Sequence, residues 1–400
     1  MKYGKFFLFA ALSPLLFCLC QRAPLQDSDK LNSEKELLTM RGLARMLASL
    51  PIEEEQIAEV WDAVSSSSGN GYDEEYMMRD LLSSPGAGVG DSPQARAATR
   101  AVYTRPLRDL ISQYLSKNLT AGATRAGAAE VEAYLAELSS SGMQIYWPYS
   151  DNWDGEQVPL ITFDPGFGGS NNYAYEIAWK DGAYRVLDSV YVDENVAMDR
   201  PVWVINRNDD SEYTPLDLFT RAGSFPEKGK TDDFNFDDDP SGGGKNNLFI
   251  RDFTMLRQYD SWFAGASEFF IQCGSVFADY ANEEVKPGSF SPEITQLMVV
   301  VRRSQVGMRI PFEALLLSGF PDELEQMALL ITESDGGTRT SWKCAAKVMI
   351  KSKSYGVDLD IPFQTNDDIV WRGPVSIDYL RKLGSDEGRF GDVRISFEVK

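Results

Sequence analysis

The apolar positions of residues 31–140 recur at helical spacing. Ser33-Glu34-Lys35-Glu36 has the form of a capping box, and Leu37, Leu38, Met40, Leu43, Ala44, Met46 and Leu47 follow it on one face. Pro51 punctuates that run. Ile57, Val60, Trp61 and Val64 then repeat the pattern up to an expected loop at Ser65–Gly71. Further helices are expected over Asp73–Leu82, Ala95–Thr104, Leu107–Lys117 and Ala126–Leu138, with Ser84-Pro85-Gly86 and Pro106 as breaks.

From residue 143 the period shortens to that of strands. Val158–Phe163, Tyr173–Lys180, Ala183–Val192 and Val202–Asn206 fit this pattern, with Lys180-Asp181-Gly182 as a turn. Strands of this size need a second layer, and the preceding helices are expected to supply it. Residues 21–206 therefore form an expected α+β domain. Residues 207–247 lose all apolar periodicity, and their glycines and aspartates mark an acidic linker. Residues 248–400 return to short apolar runs with turn signals. Strands are expected at Leu248–Leu256, Glu268–Cys273, Gln296–Arg303, Phe312–Leu317, Ala328–Thr332, Ser341–Ser352, Tyr355–Pro362 and Val393–Val399, with a short helix at Val375–Leu383. That pattern indicates an all-β antiparallel sandwich, C2-like or Ig-like.

The first 20 residues stand outside this scheme. Lys2 and Lys5 precede an apolar run from Phe6 to Cys20. A basic start and roughly 15 apolar residues describe a secretory signal, too short to span a bilayer. Cys18 and Cys20 lie at its edge, so the expectation is lipidation at Cys20, the alternative being simple cleavage after it. Of the remaining cysteines, Cys273 and Cys344 either pair in an oxidising compartment or stay as buried thiols.

Composition narrows the chemistry. The 400 residues include no histidine, which removes the commonest general base, the Ser-His and Cys-His nucleophile systems and every His-ligated metal. A net charge of −21 argues against nucleic acid as a partner. No catalytic residue is assigned. Carboxylates remain as the available ligands, and they suit a hard cation. In an antiparallel sandwich every second connection falls at the same end. Those connections, Arg257–Ser267, Ser304–Pro311, Glu333–Thr340 and Phe363–Arg372, carry Asp260, Glu333, Asp335, Asp367 and Asp368, and Glu268 opens the next strand. These six are the expected Ca²⁺ ligands, set against the alternative of solvated loop acids. Trp262, Trp342 and Trp371 lie in or beside the same loops, with packing as the default role. A second candidate is Ile145–Gly155. Its Tyr146, Trp147, Tyr149 and Trp153, with Asp151, Asp154 and Asp164 nearby, have the residue types of a carbohydrate-binding or carbohydrate-hydrolysing site.

Gly71–Asp80, Ile145–Gly155, Val202–Arg207, Ser261–Phe270, Ser334–Cys344 and Asp367–Gly373 together resemble exported lipoproteins of gut Bacteroidales, a family with no assigned activity. The resemblance implies a lipoprotein of the outer membrane or cell surface, with the periplasm as second choice. It also implies contact with the membrane through the lipid anchor alone. The departure from the family pattern is the residue before each edge cysteine, Phe17 and Leu19, where a small residue is usual. The expectation is thus a non-catalytic envelope binding or interaction module, calcium-stabilised, with a glycan or an envelope protein as partner.

Overall fold

Apolar helix faces and a doubly buried sheet build the N-terminal half. In this computed structural model the described residues are 38–83, 103–119, 125–166, 168–180, 183–208, 246–278, 285–384 and 386–400. The expected signal with Cys20, the Ser33 capping box, most of the acidic linker and the helix at Ala95–Thr104, apart from its non-helical last residues Tyr103 and Thr104, lie outside them. The described residues belong to one compact unit, Leu31–Lys400. No helix among them is long and apolar enough to cross a membrane.

Helix α1 spans Met40–Ala48 and opens on Thr39, whose side chain accepts a hydrogen bond from the Gly42 amide. Helix α2 spans Glu54–Gly69 and opens on a capping box between Glu53 and Gln56. It runs through the serines expected as a loop. Ser67 is fully buried, and the helix stops only where Gly71 takes a left-handed φ of 86°. The expected helix over Asp73–Leu82 is also corrected: residues Glu75–Met77 form strand β1, and only α3, Met78–Leu81, is helical. Long-range partners for Asp73, Glu74 and Glu75, described below, hold this stretch extended. Helices α4 (Leu107–Leu119) and α5 (Arg125–Ser139) complete the layer.

The first sheet combines β1 with β2 (Met143–Tyr146), β3 (Leu160–Phe163), β4 (Asn171–Lys180), β5 (Ala183–Asp193) and β6 (Val202–Arg207). Its order is β1-β2-β6-β3-β4-β5, and β3–β6 is its parallel pair. Side chains alternate across a strand. Ile145, Trp203 and Ile205 accordingly pack under the helices, while Tyr146, Val202 and Val204 face the opposite way. The short helix α6 (Glu194–Asp199) lies beside that second face.

The C-terminal half is a curled β-sandwich. One sheet joins β7 (Asn246–Met255), β10 (Ile310–Phe320), β15 (Glu387–Phe390) and β16 (Val393–Val399) in the order β10-β7-β16-β15. The other contains β8 (Ser267–Ala278), β9 (Phe290–Val301), β11 (Leu324–Glu333), β12 (Arg339–Ile350), β13 (Lys353–Gln364) and β14 (Asp368–Ser376). Strand β11 changes partner along its length. It pairs with β12 at Leu324 and Gln326, then with β14 from Gln326 to Glu333. The β12–β13 hairpin peels away and folds back over β8. At Gly274 a Cβ would stand 2.7 Å from the Leu359 side chain and 2.9 Å from that of Ile361, so a larger residue there would have to push those side-chain ends aside. Helix α7, Ile377–Leu383, packs between β14 and β16, close to the expected helix.

The halves meet through the loop joining β7 to β8. Trp262 and Phe263 at its tip are buried against Tyr146, Leu160, Ala174, Val192, Val202 and Val204. The sandwich thus supplies the second cover of the first sheet.

Candidate functional site

Two acidic clusters sit near this loop. The first is Asp73-Glu74-Glu75, all three buried. Asp73 Oδ2 accepts the Ala266 amide at 2.8 Å, and Oδ1 accepts the Glu74 amide at 2.7 Å. Glu74 accepts from the amide and hydroxyl of Ser150, each at 2.8 Å, and from the Tyr149 amide at 3.2 Å. Glu75 accepts from Asn208 Nδ2 at 2.7 Å. Burial pushes the Glu74 carboxyl up, and these donors hold it back.

The second cluster lies at one end of the sandwich. Asp260 comes from the β7–β8 loop, Glu333 ends β11, and Asp335 follows it. One carboxylate oxygen of each lies within 4.8 Å of the others. Glu333 is fully buried, and neither of its oxygens has a hydrogen-bond partner. Burial first, then the facing Asp260 carboxyl, drives the Glu333 carboxyl far above its ordinary value. Asp260 is likewise raised, chiefly by burial. Burial and the neighbouring Asp260, Asp368 and Asp367 push Asp335 up to about 6. An ionised Glu333 left unpaired in this setting is costly, by several kcal/mol in order of magnitude.

The strand register sorts the remaining expected ligands. Glu333 is directly opposite Asp368 in β14 and Phe269 in β8, so those side chains share its face. Asp368 therefore flanks the three from an exposed position. Glu268 precedes Phe269 and falls on the other face, so the pleat removes it from the cluster, a correction to the expected set. Asp367 braces the turn before β14. Its carboxylate accepts the Gln364 amide at 2.8 Å and the Asp335 amide at 3.3 Å.

Two groups outside the expected ligand set act on Asp260. Arg303, almost wholly buried, donates to Glu194 at 2.6 Å and to the carbonyls of Asp260 and Gly265, each at 3.3 Å. Asp164, just past β3, adds its negative charge to those acting on Asp260. Neither has a local signal in the sequence, because both act across the junction between the halves.

The aromatic segment 145–164 has a different setting. Tyr146 and Trp147 are core residues. Trp147 stacks edge-on with Trp203 and Trp153, and Trp153 also meets Trp61. Tyr149 donates to Glu194 at 2.9 Å, and the Trp153 indole donates to the Gln157 carbonyl at 2.9 Å. A cavity of about 20 Å³ is lined by Trp147, Tyr149 and Trp153, room for about one water. Asp151 pairs with Arg302, and Asp154 and Asp164 each cap their own turn. Of the three acids, only Asp154 lines the aromatic cavity.

No family model matches the sequence, and no curated protein matches it.

The cluster's donor set fits a hard cation. Ca²⁺ binds oxygen at about 2.3–2.6 Å and accepts irregular shells of six to eight donors. Two oxygens on one such ion stand at most about 5 Å apart, which accommodates the 4.8 Å spread. Thiol and imidazole ligands are absent from the group, which disfavours zinc. Cys273 and Cys344, both free thiols, are elsewhere in the sandwich, and the Cys273 sulfur lies 3.3 Å from that of Met327.

Proposed function

We propose that this chain is an exported, lipid-anchored, non-catalytic module of the outer membrane or cell surface, and that its C2-like sandwich binds Ca²⁺ through Asp260, Glu333 and Asp335. The carrying observation is Glu333, a fully buried carboxylate with no donor, facing two other carboxylates. Burial and mutual repulsion make these three acids resist ionisation, and Arg303, which pairs with Glu194, offsets this only in part at Asp260. A divalent cation reverses the sign of each of these costs. Asp368 adds long-range attraction from the rim, and backbone carbonyls with water complete the shell. We take the role to be binding rather than catalytic, because the three carboxylates stand close enough to share one cation. Export and anchoring rest on the basic-apolar start and the lipoprotein resemblance, and an envelope protein or glycan remains the proposed partner.

Thermal unfolding of the full chain tests the cation reading. Bound ligand stabilises the native state by about 2.7 kcal/mol at one hundred times Kd. The midpoint is expected to rise with millimolar Ca²⁺ over its value in chelator, and less with Mg²⁺. Glu333→Gln is expected to abolish the rise. An unchanged wild-type midpoint in Ca²⁺ rejects the assignment.

A further inference from the structure

We propose that the N-terminal half carries a binding cleft for neutral carbohydrate between strand β4 and helix α6, separate from the cation site. This gives the glycan partner a place and a chemical class, so it rests on the binding-module reading but not on calcium.

A break in the first sheet opens the cleft. Strands β3 and β4 pair at Ile161–Tyr175 alone. Continued register would set Pro159 opposite Ile177, and proline has no amide hydrogen to give to a ladder. Leu160, the next residue, donates its amide to the Pro201 carbonyl at 3.0 Å, on the β6 side of its strand. Beyond Tyr175, β4 therefore has no paired strand on its β3 side among the described residues. The space left is a cavity of about 720 Å³, well inside the range of small-ligand sites. It adjoins the small cavity beside Trp147 and Trp153, with Gln157, Asp199 and Arg200 lining both.

The lining divides into two kinds of surface. Val158, Ile177, Ala178 and Val196 are apolar, while Gln157, Glu176, Asp199 and Arg200 are polar. The polar groups have bonding capacity to spare. Arg200 donates to Glu176 at 3.3 Å, one bond from a guanidinium that has five N–H groups. The Gln157 amide nitrogen donates to Asp154 at 3.3 Å, which keeps its carbonyl oxygen for another donor. Asp199 is exposed.

The signs of these groups select the ligand. Glu176 and Asp199, with Asp154 alongside, repel a phosphate or carboxylate. An ammonium would have to compete with Arg200 for Glu176. A hydroxyl both accepts and donates, so adjacent hydroxyls can take a hydrogen from the guanidinium and give one to the carboxylate without separating that pair. The C–H face of a sugar ring then meets Val158 and Ile177. The aromatics expected to stack on sugar are packed in the core, and these aliphatic side chains take that place.

NMR titration of the full chain in chelator tests this, with neutral disaccharides of hexose, pentose and N-acetylhexosamine units as probes. At least one is expected to shift the Ile177 and Ala178 amides saturably. Arg200→Ala and the isosteric Glu176→Gln should each weaken that binding about tenfold. Both should leave the thermal midpoint within about 2 °C of wild type, because the ion pair is solvent-accessible. The cleft is rejected if no neutral disaccharide binds, or if neither variant weakens binding. Tighter binding of a phosphorylated or amino derivative than of its neutral parent overturns the ligand class. Binding that requires Ca²⁺ moves the sugar to the cation site and overturns the proposal as well. A Ca²⁺-dependent midpoint without sugar binding removes the cleft and leaves the cation reading standing, whereas sugar binding in chelator without any Ca²⁺ response does the reverse.

Discussion

The two acidic clusters beside the β7–β8 loop contain the same residue types, yet their buried acids represent opposite solutions to burial. The first is buried throughout, and the second buries Glu333 beside a half-buried Asp260 and an exposed Asp335. In Asp73-Glu74-Glu75 each carboxylate meets amide or hydroxyl donors. In Asp260-Glu333-Asp335 the deepest carboxylate meets none. A buried acid with fitted donors organises the chain around it. A buried acid without them organises nothing until a positive charge arrives. Composition alone is silent on this distinction, and donor geometry decides it.

The comparison can be broken first at Glu74. Glu74→Ala leaves the two Ser150 donors and the Tyr149 amide without their acceptor. Urea unfolding should show a loss of about 3–5 kcal/mol, independent of calcium. A loss below about 1 kcal/mol would place Glu74 with the unpartnered acids.

Glu59 occupies the middle ground. It accepts the Leu107 amide at 2.6 Å, with Tyr76 a more distant donor at 3.4 Å. Burial outweighs these bonds and raises its pKa from 4.5 to about 7. Because the folded value lies above the unfolded one, folding favours the protonated form. That contribution is complete below pH 4.5 and is lost as pH rises through 7, amounting to about 3 kcal/mol. Glu59→Gln should flatten this part of the stability–pH curve. An unaltered slope assigns it to other groups.

Glu333→Gln sharpens the contrast from the other side. Removing a structural acid destabilises, whereas neutralising an unpartnered one relieves a cost. In chelator at pH 7 the variant should be about 1–3 kcal/mol more stable than wild type, as read by its calorimetric midpoint. Destabilisation in chelator would show that Glu333 has a donor after all. The smallest effect is expected at Glu268, on the opposite face of β8. Glu268→Gln should alter Ca²⁺ affinity by less than about twofold, the limit for a group outside the shell. A larger change would contradict the register argument.

Much of this architecture was legible from spacing. Helical and strand periods separated the N-terminal layers, and alternating strand direction brought Asp260, Glu333 and Asp335 to one end. The unexpected strand β14 left the parity of the strands before it unaffected, because it begins at Asp368, inside the last of the connections, Phe363–Arg372. Strand β14 itself was hidden because its apolar run is only Ile369-Val370-Trp371, and Asp368, Gly373 and Pro374 have the composition of a connection. Glu268 was misplaced because one residue of register reverses a side chain's face. The stretch after Gly71 has helix-forming composition, but its conformation is set by Asp73's acceptor role for Ala266, 193 residues away. Local pattern carries no record of a partner at that distance, and the same is true of Arg303 and Asp164.

The β7–β8 loop also has a consequence for biogenesis. The first sheet leaves the ribosome well before the β7–β8 loop that covers its second face. Until Trp262 and Phe263 arrive, Tyr146, Leu160, Val202 and Val204 form an exposed apolar surface on a partly folded chain. Such a chain is prone to self-association. Completion of the N-terminal half therefore waits on the C-terminal one, and the molecule matures as a single cooperative body rather than one domain after another.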